Sequence, residues 1–424
     1  MRPMHIMIEP AQLFGLADSN LSKSDMHRVL LCAALSAGDT LVRYHGERSA
    51  DILATMGCLT NMGALLSPAS SCIQVRGIAG TPADTIELDC GESGSTLRFI
   101  LPVAAALGCR CRVHAQGRLP QRPIEGLLAL LSEHGCDCAS PLYPLSLSGK
   151  LAGGTYRIEG NISSQYISGL LFALPLLGED SRIEFLSPLE SAAYVDMTIR
   201  TLARFGIHIE RAPNGYAIRG GQQYHTPGAV TIEGDWSSAA FWLCAGALSG
   251  HGITCRGLSE ESLQADKAII TILKQMGAQV TVNNQGVSVQ KKALRALDLD
   301  MSQMPDIVPV TAVLAAVAKG TSVLRNVGRL RLKESDRLQA MLDNLTALGA
   351  EASIYGNDLV ITGTPRLNGG VVNGMGDHRI IMSMAIASIA CKGSVYIPDA
   401  GAVQKSYPNF FDEFNKLGGK ARVL

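Results

Sequence analysis

The chain has no apolar run long enough to cross a lipid bilayer. Its longest apolar stretches, such as IIMSMAIASIA at 380–390, fall well short of the ~20 residues of a membrane-spanning helix. The opening residues MRPMHIMIEPAQ contain no apolar segment of signal-peptide length. Neither charge sign is in excess, with 37 Lys and Arg against 37 Asp and Glu, whereas nucleic-acid and membrane-surface proteins are basic. We therefore expect a cytoplasmic protein whose partners are neither nucleic acids nor membranes.

The eleven cysteines lack the spacing of a metal site or a disulfide framework. The closest pairs are Cys109/Cys111 and Cys136/Cys138, and the chain has no C-x-x-C. Zinc sites use two ligand pairs with finger-like spacing, so we expect buried, reduced thiols and no bound metal. The Walker A and G-x-G-x-x-G motifs are absent as well, which disfavours the common kinds of nucleotide binding.

Aromatic residues are scarce at 5%, whereas glycine is abundant at 44 residues. This composition is typical of a tightly packed α/β protein with short turns. At 424 residues the chain exceeds the size of one ordinary core, which predicts two domains of roughly 200 residues each.

One short segment recurs six times along the chain. Each copy has Leu or Phe followed four residues later by Gly, and the copies are LTNMG, LSEHG, LARFG, LKQMG, LTALG and FNKLG. Their glycines are separated by 72, 71, 71, 72 and 69 residues, and they are Gly63, Gly135, Gly206, Gly277, Gly349 and Gly418. Each glycine suits the left-handed position that ends an amphipathic helix.

Every repeat also contains an almost wholly apolar helix, such as LRFILPVAAALG at 97–108, which we expect to be buried on all sides. The complete unit is predicted as buried helix, strand, amphipathic helix, strand and strand. Six units divide into two lobes of three. The predicted fold is therefore α/β, with a first lobe at 15–229 and a second lobe formed by 1–14 and 230–424.

Polar residues precede the apolar helices. The segments at the starts of the six apolar helices are SKSDMHR, CGESGST, NISSQY, GDWSSA, MPDIV and GDHRI. Ser, Asp and Asn are ordinary N-caps there, but capping does not call for Lys23, Arg28, Arg98 or the His378-Arg379 pair. A helix N-terminus has free N–H groups and partial positive charge. Cations beside it therefore favour the binding of an anion.

A second cationic set lies in loops of units two, five and six, and consists of Arg122, Lys333, Arg337 and Lys405. Because these loops are equivalent in the repeat, we expect the side chains to point in related directions. Together the two sets predict binding of small, multiply anionic ligands. The stretch RLKESDRLQ (331–339) is then interpreted as a ligand-binding loop that leads into a helix, rather than as a solvated helix face.

The chain resembles the 5-enolpyruvylshikimate-3-phosphate synthase family of enolpyruvyl transferases along essentially its whole length. The matching segments are LSKSDMHR (21–28), GESGSTLR (91–98), QRPI (121–124), ISSQY (162–166), Asp306 in MPDI, LKESDRL (332–338), GDHRI (376–380) and QKSYPNF (404–410). Their order and their phase with the repeat make the resemblance specific.

The resemblance implies an inside-out α/β barrel fold in which two lobes close around shikimate-3-phosphate and phosphoenolpyruvate. It implies a transferase of the shikimate pathway, with no metal or organic cofactor, and we expect a monomer. The 5-hydroxyl of shikimate-3-phosphate adds to C2 of phosphoenolpyruvate while C3 is protonated. Loss of a C3 proton and of phosphate then yields an enol ether. The first lobe is expected mainly to hold shikimate-3-phosphate, and the second mainly phosphoenolpyruvate and the catalytic carboxylates.

The resemblance also implies roles for individual residues. The phosphoenolpyruvate-binding set is Lys23, Gly94, Arg122, Gln165, Arg337, Arg379 and Lys405. The shikimate-3-phosphate-binding set is Lys23, Ser24, Arg28, Ser163, Ser164, Gln165, Asp306 and Lys333, with Tyr194 as a weaker candidate because SAAY matches the family only loosely.

Three catalytic residues are implied by the same resemblance, because addition and elimination both need an acid and a base within hydrogen-bond reach. Asp306 would take the proton of the 5-hydroxyl, and Glu334 would deliver and later remove the proton at C3. Lys23 would bind phosphoenolpyruvate and protonate its bridging or leaving phosphate oxygen. One departure from the family is Glu92, which stands where many relatives have Asn and adds a negative charge near the phosphoenolpyruvate region.

Three alternatives fit the sequence less well. The sister enzyme that transfers enolpyruvate to UDP-N-acetylglucosamine typically has Lys-Asn at the first helix and a Cys before the arginine, whereas this chain has Lys23-Ser24 and no Cys in 112–123. RNA 3′-phosphate cyclase shares part of the architecture but needs a basic face. A non-catalytic repeat scaffold would not need Lys23, Asp306 and Glu334 in phase.

Overall fold

The computed structural model describes residues 4–80, 84–138 and 141–424. The described chain forms two compact units. The first lobe is Leu21–Glu233, and the second lobe is the segment up to Asn20 together with Gly234–Leu424. The chain therefore changes lobe after residues 20 and 233, a few residues later than the predicted 14 and 229.

The strands of both lobes are short. In chain order they are β1 (Ile6–Glu9), β2 (Gly15–Asp18), β3 (Asp39–Arg43), β4 (Leu65–Pro68), β5 (Cys72–Arg76), β6 (Ile86–Asp89), β7 (Cys111–His114), β8 (Cys136–Asp137), β9 (Leu145–Gly149), β10 (Gly154–Ile158), β11 (Ser181–Phe185), β12 (Glu210–Ala212), β13 (Gly215–Ile218), β14 (Ala229–Thr231), β15 (Ile253–Arg256), β16 (Gln279–Asn283), β17 (Gly286–Gln290), β18 (Asp298–Asp300), β19 (Thr321–Arg325), β20 (Glu351–Tyr355), β21 (Asp358–Thr362), β22 (Gly370–Val371), β23 (Val395–Ile397) and β24 (Lys420–Val423).

The α-helices alternate between buried and amphipathic members. They are α1 (Lys23–Leu35), α2 (Ala50–Asn61), α3 (Gly94–Ala106), α4 (Glu125–Glu133), α5 (Ser164–Ala173), α6 (Ala192–Arg204), α7 (Trp236–Leu248), α8 (Ile269–Met276), α9 (Val308–Ala315), α10 (Arg337–Ala347), α11 (His378–Ala387) and α12 (Phe410–Lys416). Short 3₁₀ helices include Leu119–Gln121, Ala265–Ala268, Pro305–Ile307, Gly328–Leu332 and Ala400–Lys405.

Each repeat builds one four-stranded sheet. In the first lobe the strand orders are β14-β3-β5-β4, β6-β7-β9-β8 and β10-β11-β13-β12. In the second lobe they are β16-β17-β15-β2, β18-β19-β21-β20 and β22-β23-β1-β24. Each sheet has one parallel pair, such as Ile86↔Cys111 in β6 and β7. Five of the sheets also have an antiparallel hairpin, such as β20 and β21, and in the sixth the corresponding antiparallel pair is β1 and β24.

The sequence prediction missed one strand in every unit, because a short strand also precedes each buried helix. In β14, β18 and β22 that strand has only two or three residues. Segments this short carry no readable apolar alternation, and only pairing with a neighbouring strand defines them.

Two of these strands are exchanged where the chain changes lobe. β2 precedes α1 of the first lobe but pairs in parallel with β15 of the second lobe's sheet. β14 precedes α7 of the second lobe but pairs in parallel with β3. The exchange moves the lobe boundary beyond each strand, to residues 20 and 233. β1 completes the last sheet by pairing with β23 and β24, so this opening strand lies in the second lobe, to which the sequence analysis assigned it.

The predicted apolar helices are buried on all sides. Every residue of α7, α9 and α11 is buried, as are nearly all residues of α3. In the second lobe α7, α9 and α11 pack on one another, and in the first lobe α3 packs on α5. Each fully buried Leu, Ile or Phe side chain stabilises its lobe by roughly 1.5–3 kcal/mol.

The repeat glycines end the amphipathic helices, as predicted. All six have a left-handed backbone, with φ between +80° and +105°. Residues with a Cβ adopt this conformation at a cost.

Candidate active site

The six buried helices begin at capped polar residues. Side-chain oxygens of the N-cap residues accept hydrogen bonds from backbone N–H groups at five of the starts, and these caps are Ser22, Ser93, Ser163, Asp235 and Asp377. The sixth start has a 3₁₀ turn at Pro305–Ile307 in front of α9. Ordinary capping is therefore present, and the cations predicted to accompany it lie beside the same starts.

Lys23 and Arg28 lie on the first two turns of α1. The Nζ atom of Lys23 is 2.6 Å from Oδ2 of Asp51 on α2. Arg28 is buried and donates to Oγ1 of Thr198 at 2.9 Å, to the carbonyl of Ser24 at 2.6 Å and to the carbonyl of Tyr194 at 2.9 Å. The structure thus joins Ser24, Arg28 and Tyr194, three of the residues predicted to bind one ligand.

The start of α3 lies against two guanidinium groups. A Cβ added at Gly94 would be 2.8 Å from Nη1 of Arg122 and 3.0 Å from Nη1 of Arg98. Glycine leaves room for these groups beside the backbone, whereas a Cβ would displace the Arg122 guanidinium. Gly94 and Arg122, both predicted to bind phosphoenolpyruvate, are therefore in contact. The side chain of Glu92 points toward Gly117, because an added Cβ there would overlap its carboxylate.

The start of α5 is linked to α3 through Gln165. Its Oε1 accepts from Nη1 of Arg98 at 2.7 Å, and its Nε2 donates to Oγ of Ser95 at 2.8 Å. Ser163 caps the helix by accepting from the Gln165 N–H at 3.3 Å. Ser163 and Ser164 are both buried at this helix start. The predicted residues Gly94, Arg122, Ser163, Ser164 and Gln165 thus belong to one cluster within the first lobe.

The second lobe brings charged residues of two repeats together around Arg337. Arg337 is 1% exposed and donates to both oxygens of Asp377, with Nε at 2.8 Å and Nη2 at 3.2 Å. Its Nη1 is 2.9 Å from Oδ1 of Asp306, and its Nη2 is 2.6 Å from Oε2 of Glu334. The RLKESDRLQ segment therefore supplies an interior cluster, and α10 begins at Arg337 as the sequence suggested.

Two further cations face Asp306. Nζ of Lys333 is 3.5 Å from Oδ1, and Nη2 of Arg379 is 3.4 Å from Oδ2. Burial alone would raise the pKa of Asp306, but the attraction of Arg379, Lys333 and Arg337 outweighs it and holds the pKa well below its usual range. Burial lowers the pKa of Lys333 to about 8. Asp306 is thus an ionised carboxylate that touches three cations.

Three of the predicted cations lie at the C-terminal ends of 3₁₀ helices, at equivalent points of the repeat. Arg122 follows Leu119–Gln121, Lys333 follows Gly328–Leu332, and Lys405 ends Ala400–Lys405. Nζ of Lys405 donates to the carbonyl of Gly376 at 2.8 Å, just before the start of α11. These three cations therefore occupy equivalent positions in the local structure of their repeats, as predicted.

Sequence reasoning did not assign roles to the carboxylates that pair with these cations. Asp51 binds Lys23, and Asp377 binds Arg337. Asp266, also missed, is fully buried and accepts a hydrogen bond from Oγ of Ser237. Burial, followed by repulsion from Asp306, raises the pKa of Asp266 to about 6. Asp377 had a capping signal in GDHRI, whereas nothing in ESLQADK distinguishes Asp266 from a surface acid.

The chemistry available to these clusters is the binding and protonation of anions. Arg and Lys side chains at helix starts can hold phosphate and carboxylate groups, and Asp306 and Glu334 can transfer protons. Within the described residues, no group of three or more His, Cys, Asp or Glu is arranged to hold a metal ion. None of the described helices combines the length and apolar character needed to span a membrane.

Comparison with known proteins points to one family. Residues 15–414 match the family model for EPSP synthase (3-phosphoshikimate 1-carboxyvinyltransferase). Relatives named 3-phosphoshikimate 1-carboxyvinyltransferase include one from Clostridium kluyveri, 40% identical over 418 residues and 98% of both chains. Another, from Brachyspira hyodysenteriae, is 37% identical over 420 residues, which are 98% of this chain and 99% of that relative.

Solved structures show the same likeness. EPSP synthase from Acinetobacter baumannii superimposes with a TM-score of 0.84 at 25% identity, covering 99% of this chain and 100% of that chain. The enolpyruvyl transferase NikO from Streptomyces tendae has a TM-score of 0.76 at 18% identity over 99% of this chain and 98% of its own. The second likeness is one of fold alone.

Proposed function

The chain belongs to the EPSP synthase family, and from this premise we propose that it transfers the carboxyvinyl group of phosphoenolpyruvate to the 5-hydroxyl of shikimate-3-phosphate. The hydroxyl oxygen forms a bond to C2 while C3 gains a proton. Loss of a C3 proton then re-forms the double bond as the C2–O bond to phosphate breaks. The products are the enol ether and inorganic phosphate, in a step of aromatic amino acid biosynthesis.

The observation that carries the proposal is the position of Asp306 among Lys333, Arg337 and Arg379. These cations keep the carboxylate ionised, so it is able to accept the hydroxyl proton. Their attraction also makes it a weak base when no substrate is bound. Phosphate and carboxylate groups of the substrates would neutralise part of this positive charge, which raises the pKa of Asp306 and strengthens the base.

Glu334 is proposed as the group that protonates and deprotonates C3. Its Oε2 contacts Arg337 at 2.6 Å, so its carboxylate has a defined orientation. Arg337, Arg379 and Lys405 of the second lobe are proposed to bind phosphoenolpyruvate. Lys23, Gly94, Arg122 and Gln165 of the first lobe are proposed for the same substrate, and Lys23 would protonate the departing phosphate.

Shikimate-3-phosphate is proposed to bind Lys23, Ser24, Arg28, Ser163, Ser164, Gln165, Asp306 and Lys333. The hydroxyls of Ser163 and Ser164 lie at a helix start, where backbone N–H groups also favour a phosphate. The alternative acceptor UDP-N-acetylglucosamine is not favoured, because the relatives carry the 3-phosphoshikimate name. Lys23-Ser24 and the absence of Cys from 112–123 disfavour it as well.

Phosphate release from phosphoenolpyruvate, measured with each acceptor in parallel, tests the proposal. We expect release with shikimate-3-phosphate and none with UDP-N-acetylglucosamine. Asp306→Asn should lower turnover by roughly two orders of magnitude or more, as loss of a general base does. Release with UDP-N-acetylglucosamine alone would overturn the acceptor assignment, and release with neither acceptor from folded protein would overturn the activity.

A cytoplasmic monomer is the proposed state of the protein. All eleven cysteines are free thiols, and ten of them are buried, which suits a reducing compartment. Exposed large apolar side chains such as Leu142, Tyr355 and Val423 lie in separate segments of the chain, in a loop, in β20 and in β24. Light scattering after size-exclusion chromatography should give the 44.9 kDa mass of one chain.

A further inference from the structure

Arg98 is a buried cation to which the proposed reaction gives no role. It lies on the second turn of α3 and is 4% exposed. Its guanidinium group donates from Nη1 to Oε1 of Gln165 at 2.7 Å and from Nη2 to the carbonyl of Pro123 at 3.0 Å. One side chain therefore joins α5 to the segment that follows Arg122.

The contact with Gln165 determines which way its amide faces. Arg98 has only donors, so the amide oxygen must face it. The amide nitrogen then faces Ser95 and donates to its Oγ at 2.8 Å. With both ends held, the Gln165 side chain keeps one orientation without any ligand. A lysine at 98 could not span both acceptors, because it has a single ammonium group.

The contact with Pro123 anchors the peptide next to Arg122. The Pro123 carbonyl also accepts from the Tyr166 hydroxyl at 2.5 Å. The Arg98 guanidinium lies over the Tyr166 ring, 5.6 Å from its centroid. Two donors from different helices thus hold the same carbonyl, and this fixes the backbone from which the Arg122 side chain extends.

Both guanidinium groups meet at Gly94. A Cβ there would be 2.8 Å from Nη1 of Arg122 and 3.0 Å from Nη1 of Arg98. The close packing leaves Arg122 little freedom to move toward α3. Arg98 therefore contacts Gln165 directly, anchors the peptide that follows Arg122 and lies beside Gly94.

We propose that Arg98 is a positioning residue that holds Arg122 and the Gln165 amide in place for phosphoenolpyruvate without itself binding it. The inference rests on the proposed function. The proposed role of Arg98 depends on the geometry of its guanidinium group more than on its charge. Arg98→Lys keeps the charge but loses one of the two hydrogen bonds, to Gln165 Oε1 or to the Pro123 carbonyl. We expect Arg98→Lys to raise KM for phosphoenolpyruvate roughly ten- to a hundredfold, with a smaller change in KM for shikimate-3-phosphate.

A second variant tests the same anchor without altering a charge. Tyr166→Phe removes one of the two hydrogen bonds to the Pro123 carbonyl and should raise KM for phosphoenolpyruvate about two- to fivefold. If both residues act through Pro123, the effects of the two substitutions should not multiply in the double variant. Arg182→Lys, an exposed substitution on β11 of the same lobe, is the matched control and should leave both KM values unchanged.

The steady-state assay is run first on the wild-type chain, so that failure of the proposed function can be distinguished from failure of the positioning role of Arg98. A wild-type chain that releases no phosphate with shikimate-3-phosphate overturns the proposed function and this inference with it. An active wild type with unchanged KM for phosphoenolpyruvate in folded Arg98→Lys overturns the inference alone. If thermal melting shows that Arg98→Lys is unfolded, Tyr166→Phe decides: a normal KM for phosphoenolpyruvate overturns the positioning role, and a raised KM with normal melting supports it.

Discussion

Arg337 and Asp377 form an edge-on pair in which Nε and Nη2 of the guanidinium each donate to a different carboxylate oxygen, at 2.8 and 3.2 Å. Both side chains are almost fully buried, at 1% and 0% exposure. Ser335 also donates to Asp377 at 3.0 Å. The pair directs the remaining N–H groups of Arg337 toward Asp306 and Glu334. Asp377, to which the sequence analysis gave no role, therefore orients the cation that contacts both proposed proton-transfer groups.

Asp377→Asn should therefore weaken both stability and catalysis. An amide can accept only one of the two hydrogen bonds, which leaves the buried guanidinium partly unpaired, at a cost of about 3 kcal/mol. We expect lower urea resistance and a fall in kcat/KM for phosphoenolpyruvate of roughly a hundredfold. Asp298→Asn, which removes the exposed partner of Arg325, is the control and should change neither quantity. Equal effects of the two substitutions would show that burial of the pair is unimportant.

Glu334→Gln should separate proton transfer from structure. Glutamine can still accept from Arg337 through its amide oxygen, so we expect almost unchanged melting. Turnover should fall by roughly 10²–10⁴-fold, as for loss of a general acid–base group. Proton NMR in D₂O offers a direct check, because deuterium should enter C3 of the enolpyruvyl group with the wild type and not with the variant. Normal deuterium incorporation by the variant would remove Glu334 from the mechanism.

Lys333 should make shikimate-3-phosphate binding sensitive to alkaline pH. Burial lowers its pKa to about 8, so the side chain loses its charge as the pH rises through 8. We expect kcat/KM for shikimate-3-phosphate to decline above that pH. In Lys333→Arg, which stays charged, the decline should move to higher pH, although the activity itself falls. Lys319→Arg, an exposed substitution, should keep the wild-type profile, and a wild-type profile in Lys333→Arg would contradict the assignment.

Asp266 should oppose folding above about pH 6. Burial and the nearby Asp306 raise its pKa from 3.8 to about 6, so between these values the folded protein binds more protons than the unfolded chain. The contribution of Asp266 to stability is therefore complete below about pH 4 and is lost as the pH rises through 6. Asp266→Asn should raise unfolding stability at pH 7.5, on the order of 2 kcal/mol, and have little effect at pH 4.5.

Urea denaturation of the wild type and of Asp266→Asn at these two pH values tests whether the charge of Asp266 destabilises the folded protein. Asp343→Asn on α10, an exposed substitution, controls for the chemical change itself. A stabilisation of Asp266→Asn that is equal at both pH values would mean that packing, rather than charge, is responsible.

Several parts of the fold were predictable because they repeat locally. The six glycines mark helix ends, since few other residues tolerate a left-handed backbone. The apolar helices are buried throughout because no face of α7 or α9 is polar. Lys23, Asp306 and Glu334 could be singled out as site candidates, because each lies at a helix start or loop in phase with the repeat and matches a family segment.

Other parts were not predictable from local pattern. The strands before the buried helices are too short to show alternation, and β2 and β14 change sheets only because β15 and β3 are available to pair with them. The carboxylate that pairs with each cation was equally unpredictable from the local sequence. Asp51 and Asp377 lie 28 and 40 residues from Lys23 and Arg337, distances at which no periodicity links two positions.

The sequence by itself determined the number of repeats, the burial of their helices and the residue types at each helix start, because these follow from the short-range periodicity of side chains along the backbone. Only the tertiary structure decided which strands were exchanged, which carboxylate each cation meets and how the pKa values of Asp306, Lys333 and Asp266 are shifted. Those properties depend on distances of a few ångströms between residues far apart in the chain, and such distances exist only once the sheets have paired and the helices have packed.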